Sequence, residues 1–190
     1  LPKFINGASD SVAGCVCASG DFIDSMYDLH RGSLMLLGPA MDPRAAYEVA
    51  TRLPSLPLRM REHGARALAC AERLRSIGAR VVYPGLADHP DAKTMHGLTN
   101  PGYGAGGVMT VDLGTAERAA RFMEHLQNAE SFGFMAVSLG FSETLMSASA
   151  ASTSSEMDDA SLASAGISRG LVRLSLGYTG RLEDRLDQLE

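Results

Sequence analysis

At 190 residues the chain has room for one domain, or for one domain and part of another, and for a substantial core. Hydrophobic residues make up 45% and charged residues 21%, the balance of a globular chain, which excludes extended disorder. Lys and Arg number 17 against 22 Asp and Glu, and the net charge of -5 leaves no basic surface for phosphates, so nucleic acid is excluded as an expected partner.

The chain opens at Leu1 with neither an initiator Met nor a charged-then-apolar leader, which reads as the middle of a longer polypeptide. Residues 12–18, small and apolar with Val12, Val16, Cys15 and Cys17, read as a buried strand of an α/β sheet bounded by Gly14 and Gly20. Asp21 is positioned to cap a helix running to about His30, and the apolar stretch 34–37, of strand or core length, is halted by Gly38-Pro39. Pro43 opens a helix to about Leu53, closed by Pro54 and Pro57. The strongest helical period follows: Met60, Ala67, Leu68, Ala71, Leu74 and Ile77 share one face, and Gly78 is the natural stop. Strands are expected at 80–83, 107–113, 134–139 and 171–176. Thr115 caps a helix carrying Ala116, Ala119, Ala120, Met123 and Leu126. Residues 147–155, rich in Ser, Ala and Thr, read as a loop, and a last amphipathic helix uses Leu182, Leu186 and Leu189. From about Leu58 onward this predicts a small α+β layer, a mostly antiparallel sheet with helices over one face. Residues 1–57 supply too little for a core of their own and are expected to pack on something else.

No apolar run approaches the roughly 18 residues that cross a bilayer, so a soluble protein without a membrane partner is expected. The three cysteines, Cys15, Cys17 and Cys70, form neither a spaced zinc set nor an even disulfide framework, which suits a reducing compartment such as the cytoplasm. His89, His96, Asp88 and Asp91 lack tight ligand spacing, so no metal is expected. The glycines at 102, 104, 106 and 107 precede a strand instead of opening a helix, unlike a dinucleotide fingerprint. Three residues carry two readings each. Lys3, before a Gly turn, is on its own terms a solvated lysine near a chain end or a reactive amine. Arg173, among apolar neighbours in Val172-Arg173-Leu174-Ser175, is an arginine on a solvated face or a fixed guanidinium. Ser138, entering the Gly140 turn, is an ordinary strand-end serine or a ligand contact.

Ordered motifs choose between these readings. Lys3-Phe4-Ile5-Asn6-Gly7, Tyr83-Pro84-Gly85-Leu86 with His89-Pro90, Val137-Ser138-Leu139-Gly140 with Glu143-Thr144-Leu145, and Leu171-Val172-Arg173-Leu174-Ser175-Leu176-Gly177 follow one another over nearly all the chain. This series resembles the C-terminal half of the Cys/Met-metabolism family of pyridoxal-phosphate enzymes. Within the family, Gly32-Ser33-Leu34-Met35-Leu36-Leu37-Gly38-Pro39, Leu58-Arg59-Met60-Arg61-Glu62-His63, residues 132–140 and Ser152-Thr153-Ser154-Ser155-Glu156 are similar to the plant members that eliminate the γ-substituent of methionine. The resemblance implies an α/β, fold type I (aspartate-aminotransferase-like) architecture. Residues 1–57 would be the end of the cofactor-binding large domain, and 58–190 a linker helix and a C-terminal α+β domain.

The same resemblance implies pyridoxal 5'-phosphate as cofactor, with Lys3 as its Schiff-base and catalytic lysine. It implies Arg173 and Ser138 as the residues that bind the carboxylate of a sulfur amino acid. The expected reaction is γ-elimination of L-methionine to methanethiol, ammonia and 2-oxobutanoate. The alternatives are γ-replacement of the cystathionine γ-synthase or O-acetylhomoserine sulfhydrylase type, and a non-catalytic fragment. A homotetramer built from dimers is implied. Two positions depart from the family pattern: Pro2 stands where a phosphate-binding Thr is common, and Ala8 where a His follows the Gly. The ring-stacking aromatic, the aspartate on the pyridine nitrogen and most phosphate ligands belong to the family's N-terminal half, so these 190 residues are not expected to build the whole site.

Overall fold

A computed structural model describes all residues of the chain, 1–190. The first part is helical and open. Helix α1 (Gly20–Ser25) starts where the Ser19 hydroxyl accepts the Phe22 N–H at 3.4 Å. Helix α2 (Ser33–Leu37) ends on Gly38 in the left-handed region, φ 56°. Helix α3 (Pro43–Arg52) is capped by Asp42, whose carboxylate accepts the Ala45 N–H at 2.9 Å. One 3₁₀ turn (Leu53–Ser55) leads into α4 (Leu56–Ser76), with Pro57 in its first turn, where a missing N–H costs nothing.

The remainder alternates between sheet and helix: β1 (Arg80–Val82), α5 (Ala92–Leu98), β2 (Val108–Asp112), α6 (Ala116–Asn128), β3 (Gly133–Met135), β4 (Thr144–Ala148), α7 (Asp159–Ser164), β5 (Leu171–Ser175) and α8 (Leu182–Asp187). The five strands lie in the order β1-β2-β5-β4-β3, antiparallel except for the β3–β4 pair. This is the mostly antiparallel sheet expected from the sequence. Register separates its two faces. Met109 and Met146 flank Leu174, and Val111 and Ala148 flank Val172, so the side chains at 109, 146, 172 and 174 go into one core. Ala67, Cys70, Ala71 and Leu74 of α4 and Ala119, Met123 and Leu126 of α6 close that core. One residue along each strand, Thr110, Arg173 and Ser147 stand side by side on the opposite face. The long helix thus has two tasks: its C-terminal part fills the core, while its first turns reach the N-terminal segment.

Several expectations fail in the first part. Residues 12–18 form no strand; they run as irregular chain with Val12 95% and Val16 58% exposed, and Cys15 and Cys17 are exposed with them. An apolar run becomes a strand only where a neighbour supplies the ladder of hydrogen bonds, and no strand of the sheet lies beside it. The apolar stretch 34–37 is helical, within α2, and the helix expected to reach His30 ends at Ser25. The helix opened by Pro43 does end at Arg52, just before Pro54, but the chain turns helical again at once, with Pro54 in the 3₁₀ turn and Pro57 in the first turn of α4. Further on, the strand expected over 134–139 stops at Met135, so Ser138 lies in the connection before Gly140 and not at a strand end. Ser147 and Ala148, read as loop, are the last residues of β4.

Candidate functional site

Lys3 is carried by a tight turn in which the Asn6 N–H donates to the Leu1 carbonyl (3.0 Å) and the Gly7 N–H to the Lys3 carbonyl (2.8 Å). Gly7 has φ +75°, a conformation that favours glycine. Asn6 is buried and pins the turn from below: its amide donates to Asp10 at 2.9 Å, and its carbonyl oxygen accepts from Arg52 at 2.6 Å. Arg52 also grips both oxygens of Asp10, at 2.6 and 2.8 Å. Arg52, and then Asn6, hold the Asp10 carboxyl down at about 2, so the pair stays ionised at any ordinary pH.

On the other side of the turn stand Arg59 and His63, four residues apart and therefore on one face of α4. Arg59 donates to the carbonyls of Phe4 (2.6 Å) and Ile5 (2.8 Å), and its Nε to the Ser55 hydroxyl (3.1 Å). The His63 ring is fully buried edge-on between Phe4 and Tyr178, each at 5.1 Å between centroids. Its Nδ1–H donates to the Leu176 carbonyl at 2.5 Å, and Nε2 is left without a partner. Burial, offset in part by that carbonyl, lowers the pKa of His63 below its ordinary 6.5, so the ring is neutral.

From the turn, the Lys3 side chain reaches across 135 residues of sequence: Nζ donates to the Ser138 hydroxyl at 2.9 Å. The Ser138 carbonyl accepts from Arg173 Nη2 at 3.2 Å. An amine, a hydroxyl and a guanidinium therefore meet at one residue, and all three positions singled out in the sequence are brought together. The loop that carries Ser138 is anchored to the Arg173 strand, since the Gly140 N–H donates to the Ser175 hydroxyl at 3.0 Å. Gly140 has φ +70°, and a Cβ there would lie 2.5 Å from the Phe4 nitrogen, so the loop touches the Lys3 turn backbone to backbone.

Arg173 is half-buried and forms no ion pair within the chain; burial alone lowers its pKa. Its Nε is buried without a partner, and so is the hydroxyl of Ser147, the residue opposite it on β4. A desolvated cation with free donors beside an unsatisfied hydroxyl is the donor set that a carboxylate requires. Lys3 is exposed at Nζ and faces a hydroxyl and not a carboxylate, which leaves its amine free to meet an aldehyde. These residues fit the lysine-linked end of pyridoxal phosphate and the carboxylate of an amino acid. Arg59, His63, Asn6 and Ser147 acquire their places only through contacts far apart in sequence, and sequence reasoning gave them no role.

The other candidates do not converge. Asp88 is held by both nitrogens of Arg75, at 2.6 and 2.8 Å, and His89 accepts the Asp91 N–H at 3.1 Å. No three His, Cys, Asp or Glu side chains come together as ligands. A cavity of about 400 Å³ between α4, α5 and residues 99–105 contains none of Lys3, Ser138 or Arg173.

A family model described as "Cys/Met metabolism PLP-dependent enzyme" matches residues 1–189. The chain is 53% identical over its whole length to methionine gamma-lyase of Arabidopsis thaliana, of which it covers 43%. It is 30% identical, over 99% of its length, to the chloroplastic cystathionine gamma-synthase 1 of the same plant, covering 32% of that protein. Among solved structures, cystathionine gamma synthase of Xanthomonas oryzae pv. oryzae in complex with aminoacrylate and cysteine superimposes on 98% of the chain. The TM-score is 0.81 at 33% identity, and 46% of that structure is covered. The chain thus spans less than half the length of these relatives, and its fold is that of the fold type I enzymes.

Proposed function

The chain belongs to the Cys/Met metabolism PLP-dependent enzyme family, and we propose that it forms the lysine-bearing and carboxylate-binding part of a carbon–sulfur lyase acting on L-methionine. The reaction is γ-elimination, giving methanethiol, ammonia and 2-oxobutanoate. One observation carries the reading: Lys3 and Arg173 converge on the two polar groups of Ser138. That convergence supports a reading in which an amine and a carboxylate receptor serve one amino-acid substrate.

Pyridoxal phosphate, when bound, supplies the electron sink that makes the bonds at the substrate Cα and Cβ labile. Lys3 would hold the cofactor through its amine, and as a free amine would move protons at the substrate Cα and Cβ as general base and acid. Arg173 binds the α-carboxylate in a fork, and Ser138 ties the Lys3 amine to the backbone that Arg173 also grips. Residues 1–57 end the large domain, and 58–190 comprise the linker helix and the C-terminal domain. The apolar side chains that 1–57 exposes, Phe22, Tyr27, Leu36, Leu37 and Tyr47 among them, support a partner surface there, supplied by further segments of the enzyme or by a second subunit of a dimer-of-dimers assembly. The ring and phosphate contacts of the cofactor come from the same source. No helix is long and apolar enough to cross a membrane, and three free thiols fit a cytoplasmic enzyme.

A second reading, γ-replacement on an activated homoserine, is favoured by the match to cystathionine gamma synthase. The complete protein, loaded with pyridoxal phosphate, separates the two. Methanethiol and 2-oxobutanoate from L-methionine alone support the lyase. Cystathionine from an O-acylhomoserine and cysteine, with methionine inert, supports the synthase. No turnover of either, and no cofactor band, is the outcome for a non-catalytic module.

A further inference from the structure

We propose that Arg59 is a positioning residue that sets the reach of Lys3, by clamping the Phe4 and Ile5 carbonyls of the turn that carries it. The proposal deepens the reading of Lys3 as the reactive amine and rests on it.

The turn has a specific need. Its two internal bonds use the carbonyls of Leu1 and Lys3, and those of Phe4 and Ile5 have no backbone partner. A planar guanidinium satisfies both at once, which a single ammonium cannot do in the same geometry. Arg59 does so at 2.6 and 2.8 Å while its Nε is fixed on Ser55, whose own hydroxyl donates to the Arg52 carbonyl at 2.8 Å. The guanidinium forms no ion pair with a carboxylate, so the turn is its main polar partner. The backbone is shaped to admit it, because a Cβ on Gly7 would lie 2.4 Å from Arg59 Nη1.

The clamp has an opposite jaw. Phe4 is held edge-on by His63, one helical turn beyond Arg59, and its nitrogen abuts Gly140. Gly140 hangs from Ser175, two residues past Arg173. A shift of the turn is therefore a shift of Lys3 relative to both Ser138 and Arg173. Misplacement of a reacting group by about 1 Å can cost on the order of 100-fold in rate, because the near-attack geometry is lost while binding is retained.

The test uses the complete protein with pyridoxal phosphate, comparing wild type with Arg59→Lys and Arg59→Gln. Three quantities are read: hydrogen exchange of the peptide containing Asn6 and Gly7, kcat and KM separately, and the pH midpoint of the visible cofactor band. In both variants we expect exchange at those amides to accelerate about tenfold or more. A fall in kcat of about 10- to 100-fold with KM within about threefold should accompany it. The band midpoint should move, with Arg59→Lys less affected than Arg59→Gln. Wild-type exchange and kcat in both variants would overturn the proposal. So would a lower melting temperature with kcat per folded molecule and band midpoint unchanged, which describes a structural staple only. If Arg59→Gln does not accumulate, Gly7→Ala displaces the same guanidinium from the other side and is read by the same three quantities. Borohydride trapping on wild type keeps the two levels apart: an adduct away from Lys3 overturns the underlying reading, and the proposal with it, whatever the exchange data show.

Discussion

Replacing Arg173 by Lys keeps a positive charge on β5 and removes the planar fork. In the structure the guanidinium spends one hydrogen bond on the Ser138 carbonyl, at 3.2 Å, and keeps a buried Nε with no partner. Its other donors are therefore available to a substrate carboxylate from a partly desolvated position, where a charge-assisted hydrogen bond contributes about 1.5 to 3 kcal/mol. Loss of one such bond lowers kcat/KM for L-methionine roughly 10- to 150-fold. A carboxylate held at a single point also no longer fixes which Cα bond is activated, so kcat should fall along with affinity. The Lys3 amine is hydrogen-bonded to the Ser138 hydroxyl and not to Arg173, so the lysine-bound cofactor should remain. The assay titrates L-methionine into the complete wild-type and Arg173→Lys proteins, following 2-oxobutanoate release and the visible cofactor band. Unchanged kcat/KM, or loss of the band before substrate is added, would refute the assignment.

Two further outcomes follow from the jaws around Phe4. His63 is buried neutral, with its pKa lowered from 6.5; the unfolded chain therefore takes up a proton that the folded one refuses, and stability declines as pH falls below about 6.5. His63→Asn keeps an N–H donor without titrating, so its urea midpoint should change less between about pH 7.5 and 5.5 than that of wild type; parallel profiles would count against the buried neutral ring. Gly140→Ala places a Cβ 2.5 Å from the Phe4 nitrogen, whereas Gly78→Ala, at a similar positive φ of 88°, meets nothing within 4 Å. Both carry the left-handed cost of about 1–2 kcal/mol, so the excess loss in Gly140→Ala measures the contact with the Lys3 turn, and equal losses would contradict that contact.

The chain advertises its long periodic elements. Helices α3, α4 and α6 and strands β1, β2 and β5 were legible because caps and one-sided apolar spacing survive in the sequence, as with Thr115 before α6. Strand β4 was not, because Thr144, Leu145, Met146 and Ser147 are all buried and leave no alternation to read. Residues 12–18 misled for the opposite reason: their apolar composition has no neighbouring strand in the sheet to pair with. At the site, Lys3, Ser138 and Arg173 were identified through a family resemblance, but their meeting is a property of the fold. Arg59 illustrates the limit, since its partners lie 55 and 54 residues away and nothing in Leu58-Arg59-Met60 distinguishes it from the other arginines of α4.

The central claim is that Lys3 is the amine that carries the cofactor. The chain contains one other lysine, Lys93 on α5, which gives the claim an internal control. The complete protein, loaded with pyridoxal phosphate, is reduced with borohydride, digested and mapped by mass spectrometry. The account predicts the pyridoxyl group on Lys3, in the peptide that also contains Phe4 and Ile5. A pyridoxyl group on Lys93, or none on either lysine, would contradict it.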